Sequence, residues 1–173
     1  MSKTMITAAK KIIGGLLAIG DHIAEIVECG KELSKEQENW NDRTPQLKVV
    51  AKNKTGQITA WMNLRGYKNA SDFEGGVAPK GFEFRSYDET SEKFLVDKKT
   101  GKRVESQERT AKLLENVANL MFAAGIEGTS DLDALPDELQ GQSVGVRVRE
   151  NSRGKAEAYY FLRPEEVSSE VEA

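Results

Sequence analysis

QLKVVAKNKTGQITAWMNLRGYK, residues 46–68, is the stretch that decides the fold. Two runs of strand-forming residues flank a short polar link at 53–56, and its glycine suits a hairpin turn that needs a positive φ. Side chains alternate across a strand, so each run has one apolar face and one polar face. The stretch therefore predicts a β-hairpin at 46–66 whose apolar face lies in a core.

The polar face of this hairpin is the first candidate site. It carries Trp61 among cations, and the candidate residues on it are Lys48, Lys52, Trp61, Arg65 and Tyr67. A ring set among cations can stack a nucleic-acid base while the cations hold phosphate. The competing interpretation is that Trp61 is covered by a helix or by the N-terminal segment, because tryptophan is well buried on average.

The closing stretch 142–164, QSVGVRVRENSRGKAEAYYFLRP, predicts a second hairpin with the same character. Val144, Val146 and Val148 share one face, and cations and rings alternate onto the other. In the last strand the same alternation places Tyr160 on the apolar face and Tyr159 and Phe161 on the outer face. The candidate residues here are Arg147, Arg149, Arg153, Lys155, Tyr159 and Phe161. The alternative is that arginines on an outer strand face serve only solubility.

Composition indicates a soluble globular chain with one domain and extensions. The 173 residues, 38% apolar and 31% charged, are enough to bury a core. A net charge of −3 argues against a globally basic nucleic-acid binder. The four acids of 164–173 exceed that charge, so residues 1–163 carry +1, and we expect 164–173 to be a free acidic tail.

Catalytic and metal sites have little support in the sequence. One cysteine, Cys29, and one histidine, His22, exclude an internal disulfide and most metal or His-based schemes. The two are seven residues apart on one predicted strand, so they point to opposite faces. GxSxG, P-loop, HExxH and CxxC motifs are absent, and no set of acids is singled out by its spacing. We therefore expect no enzyme activity, no catalytic residues, no metal and no cofactor.

The location predicted for the chain is the cytoplasm, with no membrane partner. No window approaches the roughly 18 apolar residues that a membrane span requires. The lone cysteine fits a reducing compartment.

The order of predicted elements gives a mostly β fold with α additions. A helix at 4–19 precedes a strand at 22–33, the central hairpin and a strand at 82–87. A pair of strands at 92–97 and 102–106 around a turn at 98–101, a helix at 106–124 and the closing hairpin follow. Ser106 is placed to cap the helix and Gly125 to end it, and 126–140 reads as a solvated loop. This order looks like an elaborated five-stranded OB barrel with a helix before its last strands. The predicted divisions are an N-terminal helical arm at 1–20, an OB-like binding domain at 21–163 and the tail at 164–173.

Four stretches also resemble a group of phage and prophage proteins that bind single-stranded DNA and are often encoded beside recombination functions. The resembling stretches are GDHIAEIVECGKEL, PQLKVVAKNKTGQITAWMNLRGY, LLENVANLMFAAGIE and LQGQSVGVRVRENSRGKAEAYYFLRPEE. The resemblance implies an OB-type fold and sequence-tolerant capture of single strands during phage or prophage DNA replication and recombination. It also implies that the cytoplasm is that of a bacterial host. The acidic tail is similar to those with which bacterial single-strand binders recruit partners, but it closes on Val171-Glu172-Ala173 without an apolar tip.

The sequence thus leads to a nonenzymatic protein that binds single-stranded DNA through the outer faces of two hairpins. Self-association and contact with recombination or replication proteins are further candidate interactions. The rival from another class is a structural, assembly or adaptor protein whose basic and aromatic faces bind protein subunits.

Overall fold

The computed structural model describes residues 15–128 and 131–167. Strands predominate in it and helices are few, so the prediction of a mostly β fold with α additions is confirmed. In chain order the elements are β1 (Gly20–Leu33), β2 (Pro45–Lys52), β3 (Gln57–Asn63), β4 (Gly66–Tyr67), β5 (Phe82–Ser86), β6 (Lys93–Asp97), β7 (Glu105–Ser106), α1 (Gln107–Ala123), α2 (Leu135–Leu139), β8 (Ser143–Glu150) and β9 (Ala156–Leu162). Short 3-10 turns occupy Ala70–Asp72, Glu74–Gly76 and Pro164–Glu166.

The chain divides into two compact units, where the sequence predicts one domain over 21–163. The first unit contains Leu47–Met62 and the described parts of Met1–Lys31 and Val117–Ala173. The second contains Glu32–Gln46 and Asn63–Asn116. The boundaries fall inside β1, β2 and α1 and at the last residue of β3, so each unit is assembled from separate stretches of chain.

The first unit is built on a five-stranded sheet with the order β3, β2, β1, β8, β9. Both predicted hairpins are present, and β8 pairs antiparallel with β1 and with β9. The apolar residues predicted to share one face are buried, including Leu47, Val49, Val144, Val146 and Val148. Among the described residues β3 and β9 do not pair with each other, so the sheet is open and not a closed barrel.

A β-bulge between β8 and β9 changes which side chains face the core. Arg147 lies opposite Tyr160 but Val148 lies opposite Ala158, so β9 has one extra residue, Tyr159, at this point. The bulge reverses the alternation that the sequence predicts beyond it. Phe161 lies opposite Val146 and is buried, and the prediction that it shares the outer face with Tyr159 is wrong.

Helix α1 agrees with the sequence prediction at both ends. The Ser106 hydroxyl accepts a hydrogen bond from the Arg109 backbone N–H at 3.2 Å, as an N-cap does. Gly125 ends the helix at φ 76°. The segment predicted as a solvated loop at 126–140 contains a short helix, α2, whose Leu135 and Leu139 are buried.

Residues 15–19, predicted to be the end of an N-terminal helix, are extended instead. Gly15 and Leu17 exchange backbone hydrogen bonds with Gln57 at 2.9 and 3.1 Å, and Leu17 is buried. Gly56 has no positive φ, contrary to prediction; its missing side chain matters because a Cβ there would lie 2.4 Å from the Gly15 carbonyl oxygen. The rest of the predicted arm, residues 1–14, lies outside the described residues.

The chain after β9 folds back, whereas the sequence predicts a free tail from residue 164. Pro164–Glu166 forms a 3-10 turn and Val167 is buried. A Cβ added to Gly145 would lie 2.7 Å from a Val167 methyl group and 2.8 Å from Leu162 Cγ. Residues 168–173 of the predicted tail lie outside the described residues.

The second unit is organised around a buried ion pair between Arg103 and Asp42. Their side chains approach to 2.9 Å, and the Arg103 guanidinium lies 3.8 Å from the ring centre of Tyr67 and 4.5 Å from that of Trp40. Phe94 meets the Trp40 ring edge-on at 5.5 Å. Trp40 is therefore a core residue of this unit.

Two small antiparallel sheets complete the second unit. β5 pairs with β6, and β4 pairs with β7. The predicted pairing of β6 with the strand after the turn at 98–101 is reduced to one bridge, Val96 to Arg103. No helix in the described parts of the chain is long and apolar enough to cross a membrane.

Replacing Gly145 with alanine tests the packing of Val167 and Leu162 on β8. The new Cβ also falls 2.9 Å from the Leu162 backbone oxygen, so the strand must shift. We expect Gly145→Ala to lower the free energy of unfolding by about 1–3 kcal/mol in urea denaturation.

Gly30→Ala is the matched control, because Gly30 lies in β1 with nothing within 4 Å of an added Cβ. We expect this change to stay within about 1 kcal/mol of the parent. Equal effects of the two substitutions would contradict the packing of the chain after β9.

Candidate nucleic-acid interface

Trp61 is the main exposed ring of the β2–β3 hairpin. Trp61 is 50% exposed, so no described helix covers it. Residues 1–14 of the N-terminal segment, the other cover considered for this ring, lie outside the described residues. Lys48 Nζ lies 5.3 Å from the centre of the ring and 3.0 Å from a Glu28 carboxylate oxygen. The ring is thus flanked by a cation and remains open on part of its surface.

Two further residues define the surroundings of Trp61. Lys52, at the end of β2, is exposed and forms no ion pair with any carboxylate of the described chain. Val50, between the two lysines in the alternation, is buried. The exposed part of this hairpin's outer face therefore consists of basic and aromatic side chains.

Tyr159 is the corresponding exposed ring of the β8–β9 hairpin. It is 59% exposed, and the Arg149 guanidinium lies 4.2 Å from the centre of its ring. Tyr160, which the sequence places on the apolar face, is also exposed, and its hydroxyl is 3.2 Å from Asn119 Oδ1. The bulge at Tyr159 explains why two consecutive tyrosines both avoid the core.

Arg147 forms an ion pair with Asp21. Its Nε and Nη2 atoms donate to the two carboxylate oxygens of Asp21 at 2.9 and 3.0 Å, across the β1–β8 pairing. This bidentate hydrogen bonding lowers the pKa of Asp21 below its ordinary value, so the carboxylate stays charged at neutral pH. Arg147 consequently offers less positive charge to a ligand than its neighbour Arg149.

The turn between β8 and β9 presents two cations on an ordered backbone. The Asn151 side-chain oxygen accepts hydrogen bonds from the backbone N–H groups of Arg153 and Lys155 at 2.9 and 3.0 Å. The Asn151 N–H donates to the Lys155 carbonyl at 2.7 Å, and Gly154 has φ 75°. Both basic side chains are exposed, and neither forms an ion pair with a described carboxylate.

Three predicted site residues lie elsewhere. Phe161 is 6% exposed and belongs to the core of the first unit. Tyr67, also 6% exposed, is buried in the second unit beneath Arg103. Arg65 lies in the second unit too, half-exposed and 3.7 Å from a Glu105 carboxylate oxygen.

The exposed members of the predicted set lie on the two outer hairpins of one sheet. β3 carries Trp61 and β9 carries Tyr159, and three strands separate them in the sheet order. Four strand spacings correspond to roughly 19 Å along the sheet. Sequence reasoning missed Tyr160, because no residue type marks the bulge that turns it outward.

Residues suited to metal binding or nucleophilic chemistry do not converge here. Among the described residues no three His, Cys, Asp or Glu side chains are grouped as a metal site would require. Burial raises the pKa of the Cys29 thiol to about 11, so it is almost wholly protonated at neutral pH. His22 Nε2 lies 2.7 Å from the Ala18 carbonyl oxygen.

The register of β9 can be tested by comparing Phe161→Ala with Tyr159→Ala. Loss of the buried Phe161 ring should cost about 3–5 kcal/mol of unfolding free energy. Loss of the exposed Tyr159 ring, which contacts Arg149, should cost under about 1 kcal/mol. Urea denaturation of both variants measures the difference. Losses of equal size would contradict this register of β9. A larger loss at Tyr159 would indicate that Tyr159 is buried and Phe161 is exposed.

The two hairpins share one arrangement of rings and cations. The exposed rings Trp61 and Tyr159 each have a cation beside them, and Lys52, Arg153 and Lys155 add charge without an ion-pair partner among the described residues. In comparisons with known proteins, no protein-family model and no curated protein sequence matches the chain.

Proposed function

We propose that this protein binds single-stranded DNA, with little sequence preference, through the outer faces of the β2–β3 and β8–β9 hairpins. The observation that carries the proposal is the pairing of each exposed ring with a cation, Trp61 with Lys48 and Tyr159 with Arg149. Rings stack on any base, and cations neutralise phosphate regardless of sequence. We further propose that this binding serves phage or prophage DNA replication and recombination.

The exposed rings favour a single strand over a duplex. Bases in a duplex are stacked on one another, and their faces are closed to a protein side chain. Trp61 is 50% exposed and Tyr159 is 59% exposed, so each ring can stack on a base that is not already stacked in a duplex. The net charge of the chain is −3, so the chain as a whole provides little electrostatic attraction for the phosphates of a duplex.

An OB-like arrangement of the first unit is part of the proposal. Its support is the strand order β3, β2, β1, β8, β9, with helix α1 in the chain before the last two strands. OB folds bind oligonucleotides on the face of their second and third strands and with the loop between their fourth and fifth. Trp61 and Lys52 occupy the first of these positions, and Arg153 and Lys155 the second.

Trp61→Ala tests the stacking role. Binding of fluorescein-labelled dT20, measured by anisotropy at low salt, should weaken by roughly 5- to 150-fold, since one stacked base is worth about 1–3 kcal/mol. Trp61→Phe keeps a ring and should retain most of the affinity. Both variants should unfold at nearly the parent temperature, because the side chain is half exposed.

In the parent protein, dT20 should also quench the fluorescence of Trp61, while a duplex of equal length should have much less effect. A complete lack of dT20 binding at low salt, together with one large oligomer on size exclusion, would reject strand binding in favour of an assembly role. A large loss of stability in Trp61→Phe would show that the ring is structural.

The salt dependence of binding tests the phosphate contacts. Each phosphate contact contributes about −0.7 to the slope of log K against log salt for a single strand, so replacing both Arg153 and Lys155 with glutamine should make the slope less negative by about 1.4. The control replaces Lys98 and Lys99, two exposed lysines of the second unit, with glutamine. The control changes net charge equally and should leave the slope unaltered. Equal slopes for the two double variants would contradict a role for the β8–β9 turn.

A further inference from the structure

The second unit contains an open cavity of about 580 Å³ that the strand-binding surface does not use. Pockets of 300–1,000 Å³ are the usual size for small-molecule and cofactor sites. Its apolar lining includes Tyr67, Phe94 and Leu113, and its polar lining includes Asn63, Arg65 and Lys112. The cavity thus combines an aromatic floor with amide and cationic groups.

Rings form the floor of this cavity. Phe94 meets Tyr67 edge-on, with ring centres 6.2 Å apart, and Arg103 covers the Tyr67 ring at 3.8 Å. Tyr67 is buried beneath Arg103, and its hydroxyl is closed off from solvent with no hydrogen-bond partner among the described residues. The half-buried Phe94 is therefore the ring that this floor presents to a ligand. Such a floor suits a flat, largely apolar ligand group.

The four cations that line the cavity differ in how closely a carboxylate approaches them. Arg103 and Arg109, which also line it, hold Asp42 and Asp72 with hydrogen bonds of 3.0 and 2.9 Å. Arg65 and Lys112 have carboxylate neighbours only at 3.7 and 3.8 Å, and the side chain of Lys112 is 72% exposed.

Each cation of the lining has a carboxylate partner, but the partners differ in how firmly they are held. Asp42 and Asp72 accept hydrogen bonds from Arg103 and Arg109, whereas Glu105 and Glu108 are only loosely placed beside Arg65 and Lys112. Because these two contacts are long and solvent-exposed, an anionic group can take the place of Glu105 and Glu108.

One amide adds hydrogen-bonding capacity at the cavity. The Asn63 side-chain oxygen accepts a hydrogen bond from Gln46 Nε2 at 2.7 Å, which fixes the orientation of the group. Its NH2 group has no acceptor among the described residues and is available to a carbonyl or ring nitrogen of a ligand.

We propose that this cavity binds a nucleoside monophosphate. The phosphate lies against Arg65 and Lys112, the base covers Phe94 and Leu113, and the Asn63 NH2 group donates to the base. The same chemical group occurs as a free nucleotide and at the 5′ end of a DNA strand. Because the site lies in the second unit and the strand surface in the first, the free-nucleotide form does not rest on the proposed function.

Isothermal titration calorimetry with dTMP, thymidine and inorganic phosphate tests the site in the full-length protein. We expect dTMP to bind at least tenfold more tightly than either thymidine or phosphate, because each of those lacks half of the contacts. Replacing both Arg65 and Lys112 with methionine should weaken dTMP binding at least tenfold. These side chains are exposed or half-exposed, so the double variant should remain folded.

Two controls separate this site from the strand surface. Replacing Lys98 and Lys99 with methionine removes two exposed charges from the same unit and should leave dTMP binding unchanged. Trp61→Ala should also leave it unchanged while weakening dT20. Absence of dTMP binding, equal affinity for dTMP and phosphate, or loss of dTMP binding in Trp61→Ala would overturn the proposal.

Comparing the affinities of dT15 with a 5′-phosphate and dT15 with a 5′-hydroxyl shows whether the site binds strand ends or free nucleotides. Tighter binding of the phosphorylated strand, lost in the Arg65 and Lys112 double variant, assigns the site to strand ends. Equal binding of the two strands, with dTMP binding retained, assigns it to free nucleotides. Failure of both strands to bind while dTMP binds would reject the proposed function and keep this site.

Discussion

The pairing register of β8 and β9 is the constraint on which the first unit depends. One extra residue at Tyr159 sends Phe161 inward against Val146 and leaves two tyrosines outward. If the same residues paired regularly, without the bulge, Tyr160 would lie opposite Val146 in the core and Phe161 would lie on the outer face. A buried tyrosine hydroxyl costs free energy if it is unpaired. The bulge thus serves core packing and surface chemistry together.

Much of this architecture follows from patterns that are local in sequence. Alternation of apolar residues predicts the hairpins of β2–β3 and β8–β9, and helical periodicity with Ser106 and Gly125 predicts α1. These features depend on neighbours a few residues apart, so one sequence is enough to reveal them. The exposure of Trp61 follows from the same alternation, since its strand neighbours on that face are polar.

Other features depend on partners that are distant in sequence, and the sequence alone could not supply them. In the sequence Tyr67 looks like a surface ring beside Arg65. In the structure Arg103 stacks on its ring and Asp42 holds Arg103, so Tyr67 belongs to the core of the second unit. Arg147 looks like a phosphate ligand until Asp21 is found opposite it on β1. The division into two units is likewise a consequence of contacts between separated stretches of chain.

The extended segment around Leu16 covers part of the edge of the five-stranded sheet, where another chain could add a strand. Gly15 and Leu17 bond to the backbone of Gln57 at the start of β3, an outermost strand of the sheet. An unpaired strand border is a template on which another chain can add a strand, and such addition leads to aggregation. By occupying the backbone N–H and C=O groups of Gln57, residues 15–17 shorten the part of β3 that is open to such addition.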